Sequence, residues 1–217
     1  MIKLKSFTFN PFDENTFVLW SDQNKEGIVI DPGMSNGNEE KIFDDFIVSE
    51  EIILTTMLNT HCHIDHIFGC KYVNDKYSTE YLIPEDDLLL LEHYDKQMSM
   101  VGIAMDEPPK PDKLIKETDS ITLNGSVIKP LLTPGHSPGE MCFYVKDENF
   151  CITGDVLFKG SIGRTDLWGS DTAKLFNSIA TRLMVLDDSV VIYPGHGGKS
   201  TIGEEKRTNP FLLEMTN

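Results

Sequence analysis

The sequence predicts an α/β protein in which two sheets pack together and helices cover their outer faces. Strand signals separated by turn residues open each half of the chain, and segments with helical periodicity follow in both halves. The 217 residues, 40% of them hydrophobic, are enough for one sizeable core or two small ones. Because the sequence contains no repeat, low-complexity segment or linker, we expect one domain over residues 1–217.

The first half predicts a mixed α/β layer. Three strands separated by turns should pair antiparallel, and the third ends at Asp31-Pro32-Gly33. A helix follows, in which apolar residues such as Phe43 and Ile47 recur at helical spacing, and a buried strand comes next. The predicted strands are 2–8, 15–20, 27–30, 51–57 and 81–83, and the later predicted helices are 67–77 and 85–94.

The second half repeats this pattern after an irregular connection. Residues 97–112 contain three methionines and three prolines without a steady period, so they either border a substrate cleft or form a surface loop without a role. The predicted elements that follow are strands 120–123, 126–132, 140–145, 149–153 and 190–193, and helix 172–186.

Charge and composition exclude several classes of partner. Nineteen basic and 35 acidic residues give a formal charge of -16, which repels phosphate backbones and argues against nucleic acid. The first residues lack the apolar core of a signal peptide, and no apolar run approaches the roughly 18 residues that span a bilayer. We therefore expect a cytoplasmic monomer or homodimer without a membrane partner. The four cysteines lie in or beside apolar segments without paired spacing, which predicts reduced, buried thiols.

Three of the six histidines lie within one six-residue stretch, His61 to His66, directly after predicted strand 51–57. Imidazole is the commonest ligand for zinc-like metals, so this clustering, together with Asp65, predicts a metal site. Cys62 lies between two of these histidines. Because neighbours in an extended segment point to opposite sides, we expect its thiol to pack in the core rather than bind metal.

Three further ligand residues, His136, Asp155 and His196, each follow a predicted strand and stand next to glycine. His93, in a charged helix end, is excluded. If the three strand ends meet at the sheet edge that carries the histidine stretch, seven ligand side chains converge. These are His61, His63, Asp65, His66, His136, Asp155 and His196.

Seven ligands exceed the needs of one catalytic zinc, which typically takes three protein ligands and keeps one position for water. Two metals that share a bridging carboxylate would use such a set, and Asp155 suits the bridge because a carboxylate has two oxygens. Such a pair would generate a metal-bound hydroxide that attacks an ester-like carbonyl. The expected partition is His61, His63 and His136 on one ion, and Asp65, His66 and His196 on the other.

The motifs that carry these residues resemble the successive motifs of the metallo-β-lactamase superfamily over nearly the whole chain. The resemblance implies a four-layer αββα sandwich, in which two mixed sheets are flanked by helices, and a site for two divalent metal ions. Zinc is expected, with iron or manganese as alternatives, and the same seven ligands are assigned. Within the superfamily the chain resembles short forms of hydroxyacylglutathione hydrolase (glyoxalase II). This implies hydrolysis of a small-molecule thioester such as S-lactoyl-glutathione, with Asp65 both binding metal and orienting the nucleophile.

Segment 163–166 resembles the thioesterase segment in which a basic residue contacts the thiol cofactor, so Arg164 is expected to bind substrate. A structural salt bridge with Asp166 or Asp171 is the alternative. Full-length glyoxalase II enzymes continue past an Asn-Pro-Phe motif into an extension that grips glutathione, whereas this sequence ends shortly after that motif. Asp166 and Gly198 also stand where the family has tyrosine. The resemblance therefore favours a thioester more strongly than a particular thiol carrier.

Sister families supply the alternatives. A persulfide dioxygenase resembles the chain in the same segment and would bind a single iron through His61, His136 and Asp155. Lactone hydrolases also share the histidine cluster. A di-iron oxygen reductase typically has glutamate in place of His63, a nuclease needs a basic surface, and a β-lactamase needs an export signal, so these three fit the sequence less well.

Overall fold

A computed structural model describes residues 1–215, which form two mixed six-stranded sheets, a two-stranded sheet and accompanying helices. The chain divides into two compact units. The first contains Met1–Ile115 and Thr122–Ser126, and the second contains Lys116–Ile121 and Val127–Asn217. The predicted α/β class with two sheets is confirmed.

The first sheet follows the order of the chain, so each strand pairs with its sequence neighbours. Its strands are β1 (Ile2–Phe9), β2 (Glu14–Ser21), β3 (Glu26–Ile30), β4 (Ile53–Leu58), β5 (Glu80–Pro84) and β6 (Lys113–Ile115). The first three pair antiparallel, as predicted, and β3 to β6 pair parallel. Because β3, β4 and β5 run the same way, the segments that follow them emerge at one edge of this sheet.

The helices of the first unit are α1 (Gly37–Ser49), α2 (Ile64–Ile67), α3 (Cys70–Tyr77), α4 (Leu88–Glu92) and α5 (Tyr94–Val101). The Asn36 side chain caps α1 by accepting from two backbone N–H groups, and the helix buries Phe43 and Ile47. The predicted spacing of apolar residues in this helix is therefore confirmed.

Two helix predictions and one loop prediction in this unit need correction. The predicted helix 67–77 is two helices, because the Gly69 N–H donates to Pro32 O at 2.7 Å, outside the helical ladder. The predicted helix 85–94 is a 3₁₀ turn followed by α4. The predicted irregular connection 97–112 begins as helix, since α5 continues to Val101 and ends at Gly102 with a left-handed φ of 73°.

The second sheet has the order β14-β13-β10-β9-β8-β7. Its strands are β7 (Ile121–Leu123), β8 (Ser126–Leu132), β9 (Met141–Val145), β10 (Phe150–Gly154), β13 (Val191–Pro194) and β14 (Ser200–Thr201), and the two-stranded sheet contains β11 (Leu157–Phe158) and β12 (Ser161–Ile162). Strand β9 pairs antiparallel with both β8 and β10, whereas β10 and β13 are parallel. Strands β8, β10 and β13 therefore run in one direction and end at the same edge of this sheet.

The helices of the second unit are α6 (Thr172–Ser178), α7 (Ile202–Thr208) and α8 (Pro210–Met215). The predicted helix 172–186 begins correctly, but it continues as a π-helical turn over Ile179–Leu183 and ends there. The sequence did not predict β6, β11, β12 or β14, each of which is only two or three residues long.

Each unit has its own apolar core. The first core includes Val18, Val29, Phe43, Met57 and Tyr81, and the second includes Leu131, Val156, Leu175, Ile192 and Ile202. All four cysteines are buried and free of disulfides, as predicted. Within residues 1–215, the structure contains no helix with both the length and the apolar character needed to cross a membrane.

Candidate metal centre

The histidine loop, residues 59–66, leaves the end of β4 and runs into α2. Its three imidazoles are buried together: the ring centroid of His61 lies 4.8 Å from that of His63 and 4.1 Å from that of His66. Three imidazoles this close together can offer ring nitrogens to one shared cation. A divalent cation satisfies such a donor set, so this loop fits a metal ion.

Asp31 orients two of these imidazoles from the end of β3. Its Oδ2 lies 3.1 Å from His66 Nδ1 and accepts from Thr60 Oγ1 at 2.7 Å, while Thr60 Oγ1 lies 3.0 Å from His61 Nδ1. Since the single hydroxyl proton of Thr60 goes to Asp31, its oxygen accepts from His61 Nδ1–H. The carboxylate oxygen that faces His66 Nδ1 can only accept, so a proton on that nitrogen is favoured over a lone pair. In both histidines Nε2 therefore offers the lone pair that a metal needs.

Asp31 is itself fixed by the loop that it orients. The carboxylate accepts from Thr60 N at 2.7 Å and from Asn59 Nδ2 at 3.2 Å, and its backbone has a left-handed φ of 51°. The local sequence pattern predicts Asp31 only as part of a turn. Its position directly after a buried strand was the available signal, and the same signal identified Asp155.

A second buried carboxyl, Glu14, lies within 4.8 Å of both Asp31 and His66. Burial raises the pKa of Glu14 well above its usual range. Its Oε2 accepts from Thr16 Oγ1 at 3.1 Å, and a Cβ on Gly33 would lie 1.9 Å from that oxygen. Glu14 therefore packs behind the histidine loop, and glycine at position 33 leaves room for it.

Asp65 and Cys62 have different environments within the loop. The carboxylate of Asp65 is partly exposed, and its Oδ2 lies 3.8 Å from His66 Nε2. Cys62 is fully buried in the first core, where burial raises the pKa of its thiol well above the usual range. The prediction that Cys62 packs rather than binds metal is consistent with this position.

The loop backbone is held from the segment after β5. The Cys62 N–H donates to Asp87 Oδ2 at 3.0 Å, and the side chain of Gln97 bonds to the backbone of both Cys62 and Ile64. The sequence does not identify either residue as a support of the histidine loop, because Asp87 lies in a predicted helix and Gln97 in the predicted irregular connection.

In the second unit, three strand ends bring His136, Asp155 and His196 together in what we call the strand-end cluster. Asp155 Oδ2 lies 3.5 Å from His136 Nε2 and 3.6 Å from His196 Nε2. The shared direction of β8, β10 and β13 places these residues at one sheet edge. A carboxylate facing two imidazole nitrogens fits a metal ligand set, and in particular a bridging carboxylate.

Backbone groups orient this cluster. His136 Nδ1 lies 2.8 Å from the carbonyl oxygen of Arg164, and because a carbonyl only accepts, His136 carries its proton on Nδ1 and its lone pair on Nε2. The Asp155 N–H donates to the buried Glu140 Oε1 at 2.6 Å. A Cβ on Gly163 would lie 1.9 Å from the Asp155 carbonyl oxygen, so the two backbones can approach only because residue 163 is glycine.

Arg164 forms an exposed, bidentate salt bridge with Asp166. Nε and one terminal nitrogen of Arg164 lie 2.6 and 2.7 Å from the two Asp166 oxygens. This guanidinium lowers the pKa of Asp166 to about 2. Asp171 instead caps α6, so of the two predicted salt-bridge partners the structure selects Asp166.

The sequence-predicted partition joins residues of both units and stays a prediction. Within the first unit the structure brings together His61, His63, Asp65 and His66. Within the second it brings together His136, Asp155 and His196.

Comparison with known proteins gives the family. A family profile described as "Metallo-beta-lactamase superfamily" matches residues 9–196. The hydroxyacylglutathione hydrolase GloC of Haemophilus influenzae is 36% identical over 203 residues, which cover 93% of each chain. The solved structure of BLEG-1 B3 metallo-beta-lactamase is 31% identical, with a TM-score of 0.89 over 97% of this chain and 99% of that one. TTHA1623, solved in a di-iron-bound form, is 33% identical, with a TM-score of 0.85 over 96% of this chain and 100% of that one.

These matches cover both units and include the segments that carry all seven predicted ligands. They also confirm the predicted fold class, since two mixed sheets with flanking helices are the metallo-β-lactamase fold. The chain therefore belongs to the metallo-beta-lactamase superfamily, as a metal-dependent hydrolase.

Proposed function

We propose that this protein hydrolyses a thioester such as S-lactoyl-glutathione at a centre of two divalent metal ions. The observation that carries the proposal is the orientation of His61, His66 and His136, whose buried partners leave Nε2 as the donor atom in each ring. The 36% sequence identity with a relative named hydroxyacylglutathione hydrolase supports the acyl-glutathione class of substrate.

The proposed ligand set combines the histidine loop with the strand-end cluster. Asp155 suits the bridging position because two imidazoles already face its Oδ2. We assign His61, His63 and His136 to one ion, and Asp65, His66 and His196 to the other. Zinc is the proposed metal, and the di-iron form of TTHA1623 supports iron as the alternative.

Bound divalent ions supply Lewis acidity, which polarises the thioester carbonyl, lowers the pKa of water and stabilises the departing thiolate. The protein's own contribution is orientation. Asp65, whose carboxylate is partly exposed beside His66, would hold an ion and orient the attacking water. Asp31 and Thr60 keep the protons of His66 and His61 on Nδ1, so that Nε2 stays available for metal.

Arg164 is proposed to bind a carboxylate of the thiol carrier. Its guanidinium is exposed and already makes bidentate bonds to Asp166, which is the geometry that a substrate carboxylate would replace. Because this contact is to the thiol carrier rather than to the reacting carbonyl, Arg164 should contribute to KM more than to kcat.

β-Lactam hydrolysis is a second candidate function. The specific observation in its favour is the 31% identity with BLEG-1 B3 metallo-beta-lactamase across nearly the whole chain. In this chain it would draw on the same proposed ligand set, so only the choice of substrate separates the two candidate functions.

One experiment distinguishes these functions. Metal content of the purified protein is measured together with turnover of S-lactoyl-glutathione, a chromogenic β-lactam and a lactone, and with oxygen uptake on glutathione persulfide. Two metal ions per chain with thioester turnover are expected. One iron with oxygen uptake would instead identify a persulfide dioxygenase, and preferential turnover of the β-lactam or the lactone would replace the proposed substrate class.

Two ligand variants and one control complete the test. His61→Ala and Asp155→Ala should each abolish metal loading and turnover, because each removes a proposed metal ligand. His93→Ala, which removes a histidine outside both clusters, should change neither. Full activity in either ligand variant would refute the ligand assignment.

A further inference from the structure

Gln97 in α5 reaches the histidine loop from 33 and 35 residues away in the sequence. Its Nε2 donates to Cys62 O at 3.0 Å and to Leu90 O at 2.9 Å, and its Oε1 accepts from the Ile64 N–H at 3.0 Å. Two carbonyls can only accept and an amide N–H can only donate, so these partners fix which way the Gln97 amide points.

These bonds surround one residue, His63. The Cys62 carbonyl belongs to the peptide plane before the His63 Cα, and the Ile64 N–H belongs to the plane after it. A single rigid amide that bonds to both planes restricts φ and ψ of His63, which are -70° and 152°. The same residue forms the start of α2, where the His66 N–H donates to His63 O at 3.1 Å.

We propose that Gln97 is a positioning residue for the metal centre, which aims the His63 imidazole by fixing both of its flanking peptide planes. The inference rests on the proposed function only in taking His63 as a metal ligand. Since His63 is assigned to one ion alone, Gln97 should influence the affinity of that metal site far more than the affinity of the other.

The surroundings of Gln97 explain why glutamine is needed there. Glutamate has the same shape and keeps an acceptor for Ile64 N–H, but it places a second oxygen against the carbonyls of Cys62 and Leu90. Methionine has a similar length and loses all three bonds. Asp87 already holds the Cys62 N–H, so the loop retains one anchor in either variant.

The test is a Co²⁺ titration of the metal-free protein, followed through the visible absorption of the bound ion. Wild-type protein should bind two equivalents. Gln97→Glu and Gln97→Met should each bind one equivalent with wild-type affinity and the other about 10- to 100-fold more weakly, the range typical of residues that orient metal ligands. Ser99→Glu, on the exposed face of the same helix, adds the same charge and should behave as wild type.

Equal weakening of both sites, or wild-type binding at both, would overturn the inference. A measurement on wild-type protein covers the case in which a variant does not fold: the Ile64 amide should be protected from hydrogen exchange in the metal-free protein, and exchange at the rate of an open loop would also overturn it. Wild-type protein that binds no divalent ion would reject this inference and the proposed function together. Two bound ions with thioester turnover, but unaltered binding in the Gln97 variants, would reject the inference alone.

Discussion

The histidine loop and the strand-end cluster orient their imidazoles by different means. In the loop, buried side chains do so, because Asp31 and Thr60 fix the His61 and His66 rings. In the strand-end cluster, a main-chain carbonyl, Arg164 O, fixes His136. Metal binding by the loop should therefore weaken when a single functional group is lost. Metal binding by the strand-end cluster should weaken when its backbone is displaced.

The largest effect should follow from displacing the backbone of the strand-end cluster with Gly163→Ala. The new Cβ would lie 1.9 Å from the Asp155 carbonyl oxygen, so two backbones must separate. A ligand displaced by about 1 Å can lower turnover about 100-fold, and we expect metal content to fall as well. Overpacking of this kind also costs about 1–3 kcal/mol of unfolding free energy, measurable in urea.

Gly198→Ala is the control for this change. Among residues 1–215, no heavy atom beyond its chain neighbours lies within 4 Å of the place that a Cβ on Gly198 would take, so the added methyl group meets open space. This variant should keep the metal content and the unfolding free energy of the wild type. Equal behaviour of the two glycine variants would contradict the view that the strand-end cluster depends on its backbone.

Asp31→Asn should have the next largest effect, on the histidine loop. Thr60 N–H and Thr60 Oγ1 donate to different oxygens of the Asp31 carboxylate, and an amide has only one oxygen, so at least one buried donor loses its partner. We expect metal affinity to weaken about 10- to 100-fold. The free energy of unfolding should fall by about 1–3 kcal/mol.

Metal titration and denaturant unfolding of the Asp31 variant check both expectations. Asp45→Asn is the matched control, because Asp45 is exposed and pairs with Lys41 at the surface. Unaltered metal affinity in the Asp31 variant would contradict the view that buried side chains orient the histidine loop.

Glu140 is the side chain that holds the backbone of the strand-end cluster, because it accepts the hydrogen bond from the Asp155 N–H. Glu140→Gln keeps an acceptor for the Asp155 N–H and should change metal affinity only a few-fold. Glu140→Ala leaves that buried N–H without its acceptor and should lower the unfolding free energy by about 1–3 kcal/mol. Metal titration and urea unfolding of both variants provide the measurement. If glutamine is as damaging as alanine, the charge of Glu140 rather than its hydrogen bond to Asp155 is what matters.

The smallest effect should come from the exposed Arg164–Asp166 pair. Arg164 lowers the pKa of Asp166 to about 2, below the ordinary 3.8, so the pair stabilises the folded state above pH 3.8 and loses this contribution as the pH falls toward 2. Arg164→Gln should raise the pKa of Asp166 toward 3.8, as measured by NMR titration of its carboxyl carbon. Stability at pH 7 should change little, because the pair is exposed to solvent. An unaltered pKa in the variant would show that Arg164 is not its cause.

Much of the fold and of the candidate ligands could be predicted because each lies at a strand end with a strong local pattern. His136, Asp155 and His196 follow apolar strands directly, and the structure brings them together. Asp31 follows a strand in the same way, but its role depends on the pairing of β3 beside β4, which no local pattern reveals. Gln97 carries no pattern at all, since a glutamine on a helix is ordinarily a solvated residue.

The candidate metal ligands, and the strand or loop that carries each of them, can be predicted from local properties, namely imidazole and carboxylate chemistry and strand periodicity. The orientation of those groups depends on the tertiary structure. Thr60 and Asp31 are 29 residues apart, His136 and Arg164 are 28 apart, and Gln97 and Cys62 are 35 apart. Hydrogen bonds over such separations exist only after the sheets have formed, so the tautomers of the histidines and the backbone of His63 are set by the fold.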